Sequence, residues 1–319
     1  MKTSQREFSG ETDKQAMIAL ARAFPTGNLH VADLPYRLSS WALDDPDSIG
    51  LWVNAEGQLR AWAVMQTPFW TIDYASHPEA DTNLYRQLLA WADRRARKVL
   101  GTPGGRSCWF VMVLAGQADR IRDLEDAGFT SQANVGKDSW SKVLLQRSAQ
   151  MPVADYALPT NFIIRPLAGE SEIEAYVQLH RAVFESRNMT TEWRRRTLRR
   201  PEYQADLDLV AVAPDGRLAA FCVCWLDKDP QEKPSGQVEP LGVYKDFRNL
   251  GLGRVILSEG LRRLYRYGAD KVYVETDKHR NAALELYEAV GFRLVQDVLV
   301  YRKDYSEAQV EADDSSQES

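Results

Sequence analysis

The sequence predicts an α/β protein, more closely an α+β fold on a mixed sheet, that occurs twice along the chain. Helical and strand patterns alternate over 319 residues, a length that fits about two domains. Both halves show the same order of helices, hairpin and strands. A Gly-Phe pair also follows the short helix of each half, at Gly128-Phe129 and Gly291-Phe292, 163 residues apart. We interpret this order as a tandem duplication, the alternative being two unrelated α+β domains.

Residue periodicity predicts the elements of the first half, residues 1–150. Apolar residues at three- and four-residue spacing predict helices at 11–24, 34–43, 83–100 and 119–127. Runs of apolar and β-branched residues predict strands at 48–53, 58–65, 69–74, 108–114 and 139–145. The first two strands flank the polar turn Asn54–Gly57 and should form a hairpin.

A proline-containing stretch at 151–160, with Pro152 and Pro159, is expected to link the halves. The second domain, at 161–305, has predicted strands at 162–165, 208–212, 217–225, 237–244, 271–275 and 292–303. Its predicted helices are 171–184, 190–200, 252–268 and 281–290. Residues 306–319 are acidic and rich in Ser and Gln, a composition typical of a disordered tail.

Composition restricts the class of protein. The formal net charge of −5 argues against a generic nucleic-acid binder, although the arginine run at 193–200 could form a local basic patch. The N-terminus has no apolar signal-peptide core, and no apolar run reaches membrane-spanning length. Cys108, Cys222 and Cys224 form no disulfide framework, and Cys-x-Cys without a nearby histidine is a poor metal site. We therefore expect a cytoplasmic protein with no membrane, nucleic-acid or metal partner.

One loop has the composition of an anion site. Residues 241–254 read as a strand, a turn containing Gly251 and Gly253, and the start of a helix. Glycine permits close approach of the backbone to a ligand, and the free N–H groups at a helix N-terminus favour anions. The turn therefore predicts a pyrophosphate cradle, the alternative being an ordinary loop with two glycines. A Walker A loop is excluded because Arg254 and Val255 follow where Lys-Ser/Thr is needed.

A second motif lies downstream of this turn, with Asn281, Tyr287, Gly291 and Phe292 in order. Together with Arg248, Gly251 and Gly253, the run at 162–305 resembles the GCN5-related N-acetyltransferase (GNAT) superfamily. The resemblance implies two tandem GNAT-like domains, in a mycothiol-synthase-like arrangement. Each domain would have a mostly antiparallel twisted sheet, flanking helices and a splayed central strand pair.

The resemblance also implies that the second domain binds acetyl-CoA as cosubstrate. The phosphates would lie on the turn, and the pantetheine arm would lie along the strand before it. The implied cofactor-binding residues are Leu241, Gly242, Val243, Arg248, Asn249, Leu250, Gly251, Leu252, Gly253, Arg254, Asn281 and Tyr287. Asn281 could instead cap a helix, and both roles are compatible. Between Tyr74 and Asn83, where the phosphate turn would lie in the first half, the sequence has no glycine. At the 163-residue offset, Ala118 and Leu124 also replace Asn281 and Tyr287, so the first domain should be a degenerate copy that has lost the cradle.

Two residues are candidates for acid–base chemistry. Glu239 lies just before the cofactor end of its strand, where many relatives carry a catalytic glutamate, and is the candidate general base. A surface or cross-strand charge is the alternative for Glu239. Tyr287 matches the family tyrosine that protonates the sulfur of CoA, the alternative being a core aromatic residue. Pro240 has no backbone N–H to donate to a β-ladder, so it suits a bulge or a splayed point in the strand that carries Glu239.

The expected reaction is direct transfer of an acetyl group from acetyl-CoA to a primary amine in a ternary complex. Phe184, Glu185 and Trp193 are candidate substrate-binding residues, because an acidic and aromatic lining suits a cationic amine. A small-molecule amine is the expected partner, and the protein would be a monomer or homodimer. The alternatives are a non-catalytic acyl-CoA-binding or sensing protein and a protein-interaction module, and loss of the base would favour the sensor.

Overall fold

The structure, a computed structural model, describes residues 3–80, 82–133, 135, 140–228 and 233–306. The chain forms two compact units. Unit 1 comprises Met1–Val31, Ser40–Lys142 and Asp297–Ser319, and unit 2 comprises Ala32–Ser39 and Val143–Gln296. Each unit is therefore assembled from separate segments, and the predicted linker at 151–160 belongs to unit 2. The predicted tail lies outside the described residues from position 307 onward.

Helices and strands follow the predicted order closely. The strands are β1 (Ser4–Arg6), β2 (Ile49–Val53), β3 (Leu59–Gln66), β4 (Thr71–Ser76), β5 (Cys108–Leu114), β6 (Thr130–Ser131), β7 (Ser141–Ser148), β8 (Ile163–Pro166), β9 (Asp208–Val212), β10 (Leu218–Asp227), β11 (Ser235–Val243), β12 (Lys271–Asp277) and β13 (Arg293–Asp304). The α-helices are α1 (Glu11–Ala23), α2 (Leu34–Arg37), α3 (Thr82–Val99), α4 (Ala118–Asp126), α5 (Ile173–Phe184), α6 (Thr191–Leu198), α7 (Leu252–Arg266) and α8 (Asn281–Ala289).

The predicted mixed α/β fold class is confirmed. In unit 1 the strand order is β1-β2-β3-β4-β5-β13, in which residues 298–304 of β13 pair antiparallel with β5. In unit 2 the order is β7-β12-β11-β10-β9-β8. In each unit, antiparallel pairs dominate and one parallel pair lies in the interior, β4–β5 in unit 1 and β11–β12 in unit 2. The sequence did not predict β1, and only Leu34–Arg37 of the predicted helix at 34–43 is α-helical.

The two units repeat one arrangement at residue level. Shifting β5 and α4 by 163 residues reproduces the bounds of β12 and α8. The hairpins also share an irregularity, since Val53 faces Leu59 and Trp52 faces Ala61, while Val212 faces Leu218 and Ala211 faces Ala220. The turn glycines of these hairpins, Gly57 and Gly216, both have φ near +80° (78° and 83°). This agreement in register supports duplication rather than two unrelated domains.

Helices cover both faces of the sheet in unit 2. On one face, α7 approaches β10 so closely that a Cβ at Gly260 would lie 2.8 Å from Cys224 Sγ. Cys222 and Cys224 share that face, with their sulfurs 3.8 Å apart, and both are buried free thiols, as predicted for small core residues. On the other face, a Cβ at Gly242 would lie 2.5 Å from Val183 of α5. The central strands β10 and β11 are therefore shielded from water on both faces.

Candidate active site

The turn before α7 has the backbone of an anion site. Gly251 is the N-cap of α7 and has φ +81°, a left-handed conformation in which a side chain would be strained by about 1–2 kcal/mol. Asn249 is also left-handed, with φ +63°. Residues 248–251 are exposed, and the N–H groups of Leu252 and Gly253 precede the first hydrogen bond of the helix, from Arg254 N–H to Gly251 O at 3.1 Å. The turn therefore presents unpaired donors and the positive end of the α7 dipole to solvent.

The strand before this turn separates from its parallel neighbour. The register between β11 and β12, both of which are fully described, consists of Ser235–Lys271, Gly236–Val272 and Gln237–Tyr273. Beyond Gln237 the two strands continue to Val243 and Asp277 without further paired residues in this register. The predicted splayed strand pair is thus present in unit 2, and it leaves a cleft between the carboxyl ends of β11 and β12.

Two backbone donors point into this cleft. Tyr244 N–H donates to Ala219 O at 2.8 Å, so these residues form a hydrogen-bonded pair of the β10–β11 ladder. Because such pairs alternate with non-hydrogen-bonded pairs, Gly242 also directs its N–H toward β10. Leu241 and Val243 direct theirs toward the side of β12. Of the three predicted backbone contacts, these two have the geometry to bind a ligand in the cleft.

A bulge lies at the mouth of the cleft. Cys224 faces Val238 and Cys222 faces Leu241, so Glu239 and Pro240 together oppose the single residue Val223. The peptide bond between Glu239 and Pro240 is cis. The bulge that the sequence suggested at Pro240 is therefore present. It places the half-buried Glu239 beside the point where β11 and β12 separate.

Tyr287 comes from α8 on the other side of the cleft. Its side chain is buried, with its ring 5.7 Å from that of Phe292. Burial, and then the nearby carboxylate of Glu239, raise the pKa of the Tyr287 phenol well above its ordinary value. The phenol therefore stays protonated at neutral pH. The pairing of Glu239 and Tyr287 as base and acid stays a prediction.

The turn and α8 converge on the same cleft. A Cβ added at Gly253 would lie 3.4 Å from Val243 Cγ2 and 3.5 Å from Leu286 Cδ2. Arg248 donates from Nε to Val243 O at 3.3 Å, and the Arg254 guanidinium lies 5.2 Å from the Tyr156 ring centroid. The predicted cofactor-binding residues of β11, the turn and α7 are therefore brought together by the fold.

Asn281 occupies a different helix position from the one considered in its alternative role. The N-cap of α8 is Arg280, and Asn281 is the first helical residue, exposed to solvent. The helix-capping interpretation of Asn281 is therefore wrong, because the chain enters the helix one residue earlier. Its role as a cofactor contact stays a prediction.

The three candidate acceptor residues lie in different environments. The Phe184 ring lies 4.7 Å from that of His180, and the exposed Glu185 ends α5 with φ +50°. Trp193 is 1% exposed, and its indole N–H donates to Tyr36 O at 2.9 Å. Burial does not favour a direct substrate contact for Trp193. The geometry is more consistent with such contacts at Phe184 and Glu185, which remain predictions.

The arginine run at 193–200 does not form an unpaired basic patch. Each of its arginines lies beside an acidic side chain, in the pairs Arg194–Asp208, Arg195–Glu192, Arg196–Glu192, Arg199–Glu170 and Arg200–Glu202. Arg194 and Asp208 are both fully buried, and Tyr203 donates to Asp208 at 2.7 Å. Arg194 therefore links α6 to β9, and the other four arginines pair with glutamates at positions 170, 192 and 202.

Two aromatic residues that the sequence did not single out stand behind the bulge. Trp225 donates its indole N–H to Glu239 O at 2.7 Å, and the Tyr36 ring lies 6.3 Å from that of Trp225. Both side chains are 2% exposed. Position in an apolar strand or a short helix gives no signal for such a contact. The hydrogen bond depends on how the chain folds around the bulge.

Acetyl-CoA is consistent with these features. The turn directs N–H groups to where phosphates would lie, and the N–H groups of Leu241 and Val243 line the cleft where a thioester would lie.

Over the described part of the chain, no group of three His, Cys, Asp or Glu side chains is arranged to hold a metal ion. None of the described helices is both long and apolar enough to cross a bilayer.

The comparisons with solved structures concern the fold. It aligns with a GCN5-related N-acetyltransferase from Sphaerobacter thermophilus at a TM-score of 0.63 and 19% identity, over 95% of each chain. It aligns with a tandem GNAT protein from the clavulanic acid biosynthesis pathway at 0.64 and 15% identity, over 95% of this chain and 98% of that one. At such identities the likeness establishes the fold, which is two GNAT folds in tandem.

The sequence comparisons agree with the resemblance seen in the motifs. Residues 173–292 match the model of the acetyltransferase (GNAT) family. It is 29% identical over 153 residues to a mycothiol acetyltransferase from Salinispora arenicola, covering 46% of this chain and 50% of that one. It is 28% identical over 163 residues to one from an Arthrobacter species, covering 49% of each. The chain spans about half the length of these curated relatives.

Proposed function

We propose that this protein is an N-acetyltransferase that moves an acetyl group from acetyl-CoA to a primary amine, with its active site in unit 2. The observation that carries the proposal is the separation of β11 from β12 beside the bulge at Glu239, with the N–H groups of Leu241 and Val243 directed into the gap. We propose that the carboxylate of Glu239 and the protonated phenol of Tyr287 act at this cleft as base and acid. A protein that only sensed acyl-CoA would need the donors but neither the acid nor the base.

Acetyl-CoA, when bound, supplies a thioester whose carbonyl carbon accepts the amine. The turn at 248–254 holds the phosphates through backbone N–H groups and the α7 dipole. The N–H groups of Leu241 and Val243 stabilise the negative charge that develops on the carbonyl oxygen. Glu239 accepts the proton from the attacking amine, and Tyr287 donates one to the departing sulfur. Unit 2 thereby orients both reactants before any bond is broken.

The acceptor is proposed to be a small-molecule amine. Relatives named mycothiol acetyltransferase make amines related to mycothiol the first candidates. Phe184 and Glu185, near the end of α5, are the proposed contacts for a cationic acceptor, because an aromatic face and a carboxylate both stabilise an ammonium group.

The test is release of free CoA from acetyl-CoA across a panel of amines that includes mycothiol-related amines, aminoglycosides, polyamines and amino acids. Thermal unfolding with and without acetyl-CoA is measured in parallel. We expect acetyl-CoA to raise the Tm and at least one amine to stimulate CoA release. Stabilisation by acetyl-CoA without turnover over the whole panel would instead indicate a non-catalytic acyl-CoA sensor. Absence of both effects would contradict acetyl-CoA binding itself.

A further inference from the structure

The bulge that carries Glu239 requires support from outside its strand. A bulge removes local backbone groups from the ladder, so these groups need partners elsewhere. At this bulge Trp225 donates from Nε1 to the Glu239 carbonyl at 2.7 Å. Trp225 lies on β10 opposite Gln237, two residues before Glu239 on β11. The hydrogen bond from its indole therefore restricts movement of the bulge relative to β10.

The Trp225 ring is itself held by an aromatic stack. The Tyr36 ring lies 6.3 Å from that of Trp225 and stacks on Trp193 at 5.0 Å with an interplanar angle of 28°. Trp193 in turn donates its indole N–H to Tyr36 O at 2.9 Å. All three side chains are at most 2% exposed. The stack therefore has little freedom to shift without moving Trp225.

The middle member of this stack comes from the N-terminal part of the chain. Tyr36 lies in α2, within the segment Ala32–Ser39 that belongs to unit 2 although the segments on both sides of it belong to unit 1. The Glu239 carboxylate lies close enough to contribute to the raised pKa of Tyr36, after the larger effect of burial. The first half of the chain thus supplies part of the wall behind the candidate base.

We propose that Trp225 and Tyr36 are positioning residues for Glu239. Trp225 anchors the carbonyl of the bulge, and Tyr36 holds the Trp225 ring in place. This inference rests on the proposed function for its catalytic consequence. In this role the N-terminal half of the chain supports the proposed active site without binding a ligand itself, since its residues 32–39 belong to unit 2.

The test compares Trp225→Phe with Trp62→Phe in the full-length protein. Trp62 is a matched control, because it is a buried tryptophan on β3 whose indole N–H also donates to a backbone carbonyl, Met17 O, at 3.0 Å. We expect Trp225→Phe to lower kcat by about tenfold to 10²-fold while KM for acetyl-CoA stays within about twofold. Trp62→Phe should shift the Tm by a similar amount and leave kcat unchanged.

Tyr36 provides a second pair of variants. Tyr36→Phe keeps the ring and should retain full kcat, whereas Tyr36→Ala removes the ring and should lower kcat as Trp225→Phe does. If Trp225→Phe and Trp62→Phe lower kcat equally, or if Tyr36→Ala retains full kcat, the positioning role is wrong.

Hydrogen exchange separates this inference from the proposed activity. The backbone amides of Glu239 and of residues 241–243 should exchange at least about tenfold faster in Trp225→Phe than in the wild type, and Trp62→Phe should not change them. This readout needs no substrate, so it decides the positioning role even if the amine panel gives no turnover. Unchanged exchange in Trp225→Phe would overturn the inference while leaving the acetyltransferase proposal standing.

Discussion

The strand separations of the two units are built on one plan, and they differ in the groups that meet the backbone inside them. The shared hairpin register makes Ala61 and Ala220 equivalent, and these face Ser76 in unit 1 and Val243 in unit 2. β4 and β5 also separate, since their parallel register contains only Thr71 and Phe110. Unit 1 therefore also has splayed strands, but different groups lie between them.

In unit 1 the equivalent backbone donor is already engaged. His77 N–H donates to Arg60 O, so the N–H of Ser76 points away from β3, into the splay between β4 and β5. There it donates to Asn28 Oδ1 at 3.1 Å. In unit 2 the N–H of Val243 has the same orientation and is proposed to meet the substrate carbonyl. The amide of Asn28 thus takes the place of a ligand.

Side chains close the remainder of the first cleft. Arg120 of α4 donates to Gly27 O and to Ser76 Oγ, each at 2.8 Å. Its guanidinium also lies over the rings of Tyr74 and Tyr85, at 5.3 and 5.6 Å. In unit 1 the protein's own side chains therefore contact the backbone and rings beside the separated strands.

The strand and the turn differ as well. Met65 faces Ile72 and Ala63 faces Tyr74 without interruption, so Asp73 alone stands where unit 2 has both Glu239 and Pro240. α3 has 18 residues and α7 has 15, and each is followed by one residue and then a left-handed glycine, Gly101 or Gly268. When α3 and α7 are aligned at these glycines, the first turn of α3 takes the position that the loop before α7 has in unit 2. Unit 2 therefore differs from unit 1 by one extra residue in its bulge and by a loop in place of one helical turn.

The largest effect expected from this comparison comes from the base. Glu239→Gln should lower kcat by about 10²–10⁴-fold and leave the affinity for acetyl-CoA nearly intact. The wild-type rate should fall as the pH drops and Glu239 becomes protonated, and the variant should lack this acidic limb. Steady-state kinetics over pH measures both effects. Asp73→Asn, the same change at the equivalent register position of unit 1, should alter neither, and an unchanged rate in Glu239→Gln would make Glu239 structural.

The second effect concerns the phosphate turn. Gly251→Glu should weaken acetyl-CoA binding by roughly 10²-fold, because it adds negative charge where phosphates approach the helix N-terminus. Isothermal titration calorimetry measures the affinity. Gly216→Glu is the matched control, since Gly216 has φ +83°, close to the +81° of Gly251, and neither position has an atom within 4 Å of an added Cβ. Equal losses of affinity in both variants would remove the assignment of the turn as the cradle.

The third effect is smaller and concerns the acid. Tyr287→Phe should lower kcat by about tenfold to 10²-fold, since a thiolate leaves readily and water can replace the phenol in part. Because the pKa of Tyr287 is raised, the phenol stays protonated, and the wild-type rate should show no alkaline limb from it up to about pH 10. Tyr85→Phe, a buried tyrosine of unit 1, is the control and should keep full kcat. A full rate in Tyr287→Phe would reduce Tyr287 to a core residue.

The smallest effect on activity is expected in unit 1. Arg120→Ala should lower the free energy of unfolding by about 2–3 kcal/mol, because it removes two charged hydrogen bonds and two ring contacts. Arg122→Ala, on the exposed face of the same helix, should cost at most about 0.5 kcal/mol. Chemical denaturation measures both, and kcat should stay unchanged in each. If Arg120→Ala created a second acetyl-CoA site by calorimetry, the missing glycine turn would not be what inactivates unit 1.

The helices, strands and turns that depend on neighbouring residues were predictable from the sequence. The strand at 108–114, the helix starting at Leu252 and the turn with Gly251 were predicted because periodicity and glycine conformation depend on near neighbours. The bulge at Pro240 followed from the missing N–H of proline. The resemblance to the GNAT superfamily depended on two short motifs, Arg248, Gly251 and Gly253 in the turn and Asn281, Tyr287, Gly291 and Phe292 downstream.

Contacts across the sheet and between segments distant in sequence could not be predicted and are seen only in the folded protein. Trp225 reaches Glu239 O, Asn28 reaches the Ser76 N–H, and residues 32–39 join unit 2, although none of these has a pattern visible in the chain. Likewise, residues 298–304 of the last strand pair with β5 in unit 1. The physical reason is that such contacts depend on register and burial, which the whole fold sets at once, whereas helix periods and turns are set by neighbouring residues.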